Sequence, residues 1–330
     1  MIIVFWILIK KHPYYENLLK LFAVALMFGF VMISCEESRD EMPNSGSIYD
    51  LASRDADLSN LKAAIDKAGL STTLSATGTF TVFAPSNAAF TQFLSENGFA
   101  SLNDVPAAAL KEILLNHVLS DKVMAANVTT GYVSTMAKGS ASSTRNLSMY
   151  INTASGVKIN GISTVTQTDI AASNGVIHKV DKVIGLPTVV THAMANPNFS
   201  ILVSALTRND MPNFAGILSG SASSPFTVFA PTNAAFTSLL TELTLPNLAA
   251  VPTAVLENAL KYHVVAGANV ASNDIVNNMT VTTFQGGTFK ITTNGGVKIT
   301  DANNRVANVI ATDVQCSNGI IHVLDKVILP

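Results

Sequence analysis

The chain has 330 residues, 48% of them apolar and 13% charged, with a formal net charge of −2. That length suggests two domains, and the apolar share is enough for two ordinary cores. The body of the chain has no basic stripe or Lys/Arg run, which excludes the electrostatic footprint of nucleic-acid binding. A disulfide framework is excluded too, because the two cysteines are Cys35 and Cys316 and each core has to stand on packing.

At the N-terminus, Lys10, Lys11 and Lys20 precede an apolar run of 13 residues, Leu21 to Ile33. A membrane span needs about 20, whereas this length suits the apolar region of a secretory signal. The run ends Met32-Ile33-Ser34-Cys35. These four residues resemble the lipobox of bacterial lipoproteins. That resemblance implies a diacylglyceryl group on the Cys35 thiol and cleavage that leaves Cys35 first. Residues 1–34 are then a signal and residues 35–46 an acidic tether, Glu36-Glu37-Ser38-Arg39-Asp40-Glu41, without apolar periodicity.

Residues 50–70 read as a helix, with Leu51, Leu58, Leu61, Ala64 and Ile65 recurring mostly at three and four. Phe80 to Phe83 reads as a buried strand that Pro85 ends, and Ser86 is a natural N-cap for the helix that follows. Pro106 opens another helix, with Leu110, Ile113, Leu114 and His117 on one side. Short strands are expected at 123–128 and 132–136, then an exposed Ser-rich loop at 139–146. Alternating strands follow around Tyr150, Val157 and Val165, joined by the hairpin signal Asn160-Gly161. Asn174-Gly175 turns the chain into a last strand through His178, and Pro187 ends the unit.

The second half repeats this order. Phe80 to Phe90, FTVFAPSNAAF, returns as Phe226 to Phe236, FTVFAPTNAAF, identical at ten of eleven positions. Ser173-Asn174-Gly175-Val176-Ile177-His178 returns as Ser317-Asn318-Gly319-Ile320-Ile321-His322. One fold was duplicated. The second copy is six residues shorter between the Pro106-type helix and the hairpin and four residues longer inside the hairpin, where a longer turn around Asp301 to Asn304 replaces Asn160-Gly161. Surface loops tolerate such change. The domains are placed at 47–187 and 188–330. Gly185-Leu186-Pro187-Thr188 leaves almost no linker, which favours a fixed angle between them.

The paired boxes, each followed by SNGVIHKVDKVIGLP or SNGIIHVLDKVILP, resemble the two signature boxes of fasciclin-like domains. The likeness covers roughly residues 47–330. It implies an α+β fold of two tandem domains, each a wedge of two small, roughly orthogonal β-sheets with helices along one side. The implied role is extracellular adhesion or matrix interaction without catalysis. In animal members a Tyr-His pair and an Asp-Ile step are integrin contacts. Tyr262-His263 and Asp169-Ile170 match them, and Asn116-His117 and Asp313-Val314 are the departures. The candidate interaction residues are therefore Asn116, His117, Tyr262, His263, Asp169 and Ile170.

Candidate chemistry elsewhere is sparse. His117, His178, His263 and His322 recur in equivalent pairs, but the sequence has no HxxxH, HExxH or CxxC, and no GxSxG elbow or phosphate-cradling glycine loop. The simpler reading is that these histidines bond backbone groups inside the fold. No metal or cofactor is expected. Cys316 stands where the first copy has Ala172, which suits a small packed group.

These observations together lead to a lipid-anchored, surface-exposed outer-membrane adhesion module that binds an extracellular protein or glycan. It would be held to the membrane through Cys35 and would not bind nucleic acid. A second reading is a glycan-capture lipoprotein serving polysaccharide uptake, which would use Tyr132, Tyr150 or Tyr262 as stacking platforms.

Overall fold

The computed structural model describes residues 46–330. The signal, Cys35 and the tether up to Ser45 lie outside them. The described residues form one compact unit.

The first domain contains α1 Ile48–Arg54, α2 Ser59–Lys67, α3 Ser71–Ser75, β1 Phe80–Pro85, α4 Asn87–Glu96 and α5 Ala107–Leu115. It continues with β2 Val118–Leu119, β3 Gly131–Gly139, β4 Ser142–Asn152, β5 Lys158–Ile159, β6 Ser163–Ala172 and β7 Gly175–Val180. The second contains α6 Val189–Ala195, α7 Ser200–Leu206, α8 Phe214–Ser219, β8 Phe226–Pro231, α9 Asn233–Glu242 and α10 Thr253–Tyr262. Its remaining strands are β9 Val264–Ala266, β10 Met279–Thr282, β11 Thr288–Thr292, β12 Lys298–Thr300, β13 Val306–Cys316 and β14 Gly319–Leu324.

Each domain has one mixed sheet with helices against it. The strand orders, β2-β1-β7-β6-β5-β4-β3 and β9-β8-β14-β13-β12-β11-β10, are the same design twice. The repeated box supplies β1 and β8, which pair in parallel with β7 and β14, so Phe83 lies beside His178 and Phe229 beside His322. The long strands β6 and β13 link the two halves of each sheet, pairing with β5 and β12 at one end and β7 and β14 at the other. Register shifts in the middle of β6 and β13 mark the crossing, and such irregularities bend and twist a strand. Each domain has two apolar clusters: one beneath the helices, around Phe90 or Phe236, and one within the far half-sheet, around Met149 or Phe289.

Three local expectations change. The helix expected over 50–70 is broken after Arg54, because Asp55 turns extended and its carboxylate accepts from the Asp57 amide, capping a short 3₁₀ turn. The segment expected as a strand at 123–128 is instead held as a 3₁₀ turn, Ala125–Asn127, by side chains described below. The Ser-rich stretch at 139–146 is the end of the β3–β4 hairpin rather than an exposed loop, and its tip docks on the second domain. There Ser317 O accepts from the Ala141 amide at 3.0 Å and the Ser140 hydroxyl at 2.9 Å. Serine and threonine read as loop formers locally, but here an antiparallel partner satisfies their backbone.

Where a fixed angle between the domains is expected, hydrogen bonds cross the junction. Pro187 O accepts from Ser317 N at 2.7 Å, and Thr188 at once caps α6 in a reciprocal box with Thr191. Across the boundary, Gln315 N donates to Ser148 Oγ at 3.0 Å, and Arg145 bonds Asn273. Tyr132 of β3 packs against the second domain's core, and its hydroxyl accepts from Asn196 Nδ2 at 3.3 Å.

Candidate functional site

The polar residues of the repeated boxes form a set of latches, built the same way in both domains. Thr81 and Thr227 are fully buried. Thr81 Oγ1 donates to Asp121 O at 2.6 Å and accepts from Val123 N at 2.8 Å, and Thr227 does the same with Ala268 O and Val270 N. Ser86 and Thr232 cap α4 and α9 by accepting from the amides of Ala89 and Ala235. Asn87 accepts from Asn60 N at 2.9 Å and donates to Ala56 O at 2.8 Å, tying α4 to the start of α2, and Asn233 ties α9 to Pro197 and Ile201 likewise.

The four paired histidines each join two backbone groups. His117 Nδ1 donates to Ile113 O at 2.7 Å, and its Nε2 accepts from Ile184 N at 2.8 Å. His263 repeats this with Ala259 O at 2.7 Å and Ile328 N at 3.1 Å. His178 Nε2 donates to Val123 O at 2.9 Å, and its Nδ1 accepts from Asp169 N at 3.2 Å. His322 does so with Val270 O at 2.9 Å and Asp313 N at 3.5 Å. Each ring must be neutral to accept at one nitrogen and donate at the other. Burial pushes His117 and His263 down to about 4, and it lowers His322 as well. The histidines that recur between the copies thus hold helix ends and the 3₁₀ turn in place. Among the described residues no group of three or more His, Cys, Asp or Glu is placed to hold a metal ion.

The six candidate interaction residues fall in two places. Asn116, His117, Tyr262 and His263 are buried, at 0%, 1%, 0% and 4% exposure, so a partner cannot touch them in this conformation. This corrects their reading as contact residues. The Tyr-His position lies at the end of α5 and α10, where the chain turns inward to the sheet. Tyr262 O–H donates to Thr288 O at 2.7 Å and accepts from Ala302 N at 3.2 Å, pinning the helix to the far half-sheet. Asn116 reaches the other way, donating to Gly185 O at 3.0 Å.

Asp169 is exposed and Ile170 half-buried against the helical core. Asp169 and Asp313 sit at the register shifts of β6 and β13 with φ of 61° and 62°. Asp is among the few residues that accept this left-handed conformation. Their carboxylates hold the neighbouring turns, Asp169 accepting from Ala125 N at 2.9 Å and Asp313 from Ser272 N at 2.8 Å. The Asp-Ile step is therefore the corner of a strand, and only Asp169 of the six is open to solvent.

The stacking platforms of the glycan reading are also inside. Tyr150 and Tyr262 are buried, and half-buried Tyr132 faces the second domain. Asp181 and Asp325 are strand anchors, accepting from Thr164 N at 2.6 Å and Asn308 N at 2.7 Å. Cys316 is fully buried and burial raises its thiol well above the usual range, as expected of a packed group.

One feature escaped the sequence reading. Asn174 and Asn318 are more than turn formers. Asn174 Oδ1 accepts from Ile48 N at 2.9 Å, and its Nδ2 donates to Leu74 O and Ala76 O at 2.8 Å. Asn318 makes the same three bonds to Val189, Leu218 and Gly220. Their recurrence with Gly in both copies was the available signal. The glycines that follow lie against the first residue of β1 and β8, where an added Cβ would sit 2.0 Å from Phe80 O and 2.2 Å from Phe226 O.

The duplicated unit that carries these latches matches a known domain model twice. The fasciclin domain model matches residues 56–187 and again 197–330. The chain belongs to the fasciclin family. Protein sll1483 of Synechocystis is 38% identical over 143 residues, covering 43% of this chain and 73% of that protein. Mouse stabilin-2 is 31% identical over 278 residues, 80% of this chain but 10% of its own length. Human periostin is 27% identical over 268 residues, 77% of this chain and 28% of its own. A solved fasciclin domain pair from the insect cell adhesion molecule fasciclin I is 22% identical, with a TM-score of 0.48. It covers 86% of this chain and 96% of that one. No helix among the described residues is long and apolar enough to cross a membrane.

Proposed function

We propose that this protein is an adhesion or matrix-interaction module, displayed at the cell surface on a lipid carried by Cys35, which binds an extracellular protein or glycan without catalysis. The observation that carries this reading is the tandem pair of fasciclin domains. The recurring polar side chains of the boxes support it, because their hydrogen-bonding capacity is engaged in holding the fold. Recognition then belongs to the outer surface and to the segments that differ between the copies. Two domains held at a fixed junction can present two contacts at once, which raises avidity.

The test has two parts. Immobilised matrix proteins and a glycan array are exposed to the purified protein; saturable binding to either supports the module, and binding to neither sinks it. Cys35→Ala should release the protein from the membrane fraction, and unchanged fractionation would remove the anchoring claim.

A further inference from the structure

We infer that the second domain carries a binding site for the hydrocarbon end of an alkyl or acyl chain, in a cavity between α9 and α10. The cavity holds about 100 Å³ and is lined by apolar side chains of both helices and of the C-terminal segment, with buried His263 as its one polar lining residue. Both nitrogens of that ring are already engaged by Ala259 O and Ile328 N. A water needs two to four polar partners to settle, whereas apolar cavities of roughly 150 Å³ stay dry and take up hydrocarbon.

The duplication shows what is particular to this copy. At the two inner positions where the second domain has Leu239 and Ala259, the first has Phe93 and Ile113, which pack against its core. At the mouth the change runs the other way. Leu243, Val255 and Leu329 replace Asn97, Ala109 and Gly185. Leu243 and Val255 are 40% and 49% exposed. A packing defect accounts for the smaller inner residues alone. It does not account for an apolar mouth where the sister domain is polar or small.

The shape and charge narrow the ligand. A second void of about 30 Å³ also lies against Leu260 and His263, and a flexible chain adapts to space divided in this way better than a rigid ring. The charges nearest the C-terminal edge are paired, Arg305 with Glu242 at 2.9 Å and Lys326 with Glu242 at 4.0 Å, which leaves no free charge to select an ionic head.

The test is a methyl NMR titration of the full chain in detergent-free buffer with hexan-1-ol, and separately with toluene. Saturable shifts of the Leu239, Leu256 and Val255 methyls are expected, with Leu110 and Leu114 of the first domain unmoved. Ala259→Ile and Leu239→Phe restore the first domain's filling residues, and each should weaken hexan-1-ol at least about tenfold while thermal unfolding stays cooperative. Two variants guard against one that fails to fold. Absence of shifts, equal shifts in both domains, or titrations unchanged in both folded variants would overturn the site. Tighter binding of toluene than of hexan-1-ol would overturn its assignment to a chain.

Discussion

Tyr132 of the first domain meets His192 of the second edge-on, with ring centroids 5.3 Å apart and planes at 78°. His192 is fully buried, and neither of its ring nitrogens has a hydrogen-bond partner; the Ser148 backbone approaches without reaching bonding geometry. It is thus unlike the other buried histidines, whose nitrogens are all engaged. An unsatisfied buried polar group costs about 1–3 kcal/mol. His192→Leu removes that cost and keeps an apolar contact for Tyr132. Calorimetry should show a thermal midpoint raised by a few degrees, and a lowered midpoint would mean the imidazole contributes something the geometry does not show.

Stability should fall as the medium becomes mildly acidic. Burial holds His117, His192 and His263 at about 4, against about 6.5 in an unfolded chain. As pH drops below 6.5 the unfolded chain takes up protons on these rings and the folded chain does not. Their contribution is therefore fully present above 6.5 and is lost progressively toward pH 4. Between pH 7 and 5.5 each ring should cost roughly 1 kcal/mol. Urea unfolding at the two pH values measures the sum, to which buried His322 also contributes, and His192→Leu should reduce the difference by the share of one ring, roughly 1 kcal/mol.

The junction can be loosened at a single glycine. A Cβ on Gly139 would lie 2.5 Å from Ser317 Cα, backbone against backbone. Gly139→Ala should move the β3–β4 tip off Ser317 while each domain keeps its own core. Faster proteolysis around residues 183–188 and a larger radius of gyration in X-ray scattering are expected. A variant with unchanged scattering and proteolysis would show that the other cross-domain contacts suffice.

Asn174 and Asn318 should matter as much as core residues. Asn174→Ala leaves the buried Ile48 amide and the carbonyls of Leu74 and Ala76 without this partner. A loss of about 3 kcal/mol is expected, measured by urea unfolding. Asn318→Ala should cost a similar amount in the second domain. A loss below about 1 kcal/mol at both sites would show that water replaces the side chain.

Tyr262→Phe separates a structural from a contact role. It removes the bonds to Thr288 O and Ala302 N while keeping the ring against Phe289. It should lower stability by about 1–3 kcal/mol and leave the affinity for any extracellular partner of the folded protein unchanged. Lost affinity with full stability would return Tyr262 to the contact surface.

The sequence by itself determined the duplication, the family and the internal work of its boxes. Periodicity and capping chemistry are local: Phe80 to Phe83 can hardly be other than a buried strand, and Ser86 or Thr232 other than a cap. Box residues seen twice also implied that the paired histidines are structural, because no ligand spacing accompanies them. Tertiary structure decided what depends on distant partners. The Ser-rich stretch became a docked hairpin because Ser317, far along the chain, accepts its hydrogen bonds. Tyr262 and Asn116 went inside because the helix end they occupy turns toward the sheet, and no local pattern reports that direction. The cavity beside α10 is likewise invisible in composition: Ala259 and Leu239 are ordinary helix residues, and only packing shows the space they leave.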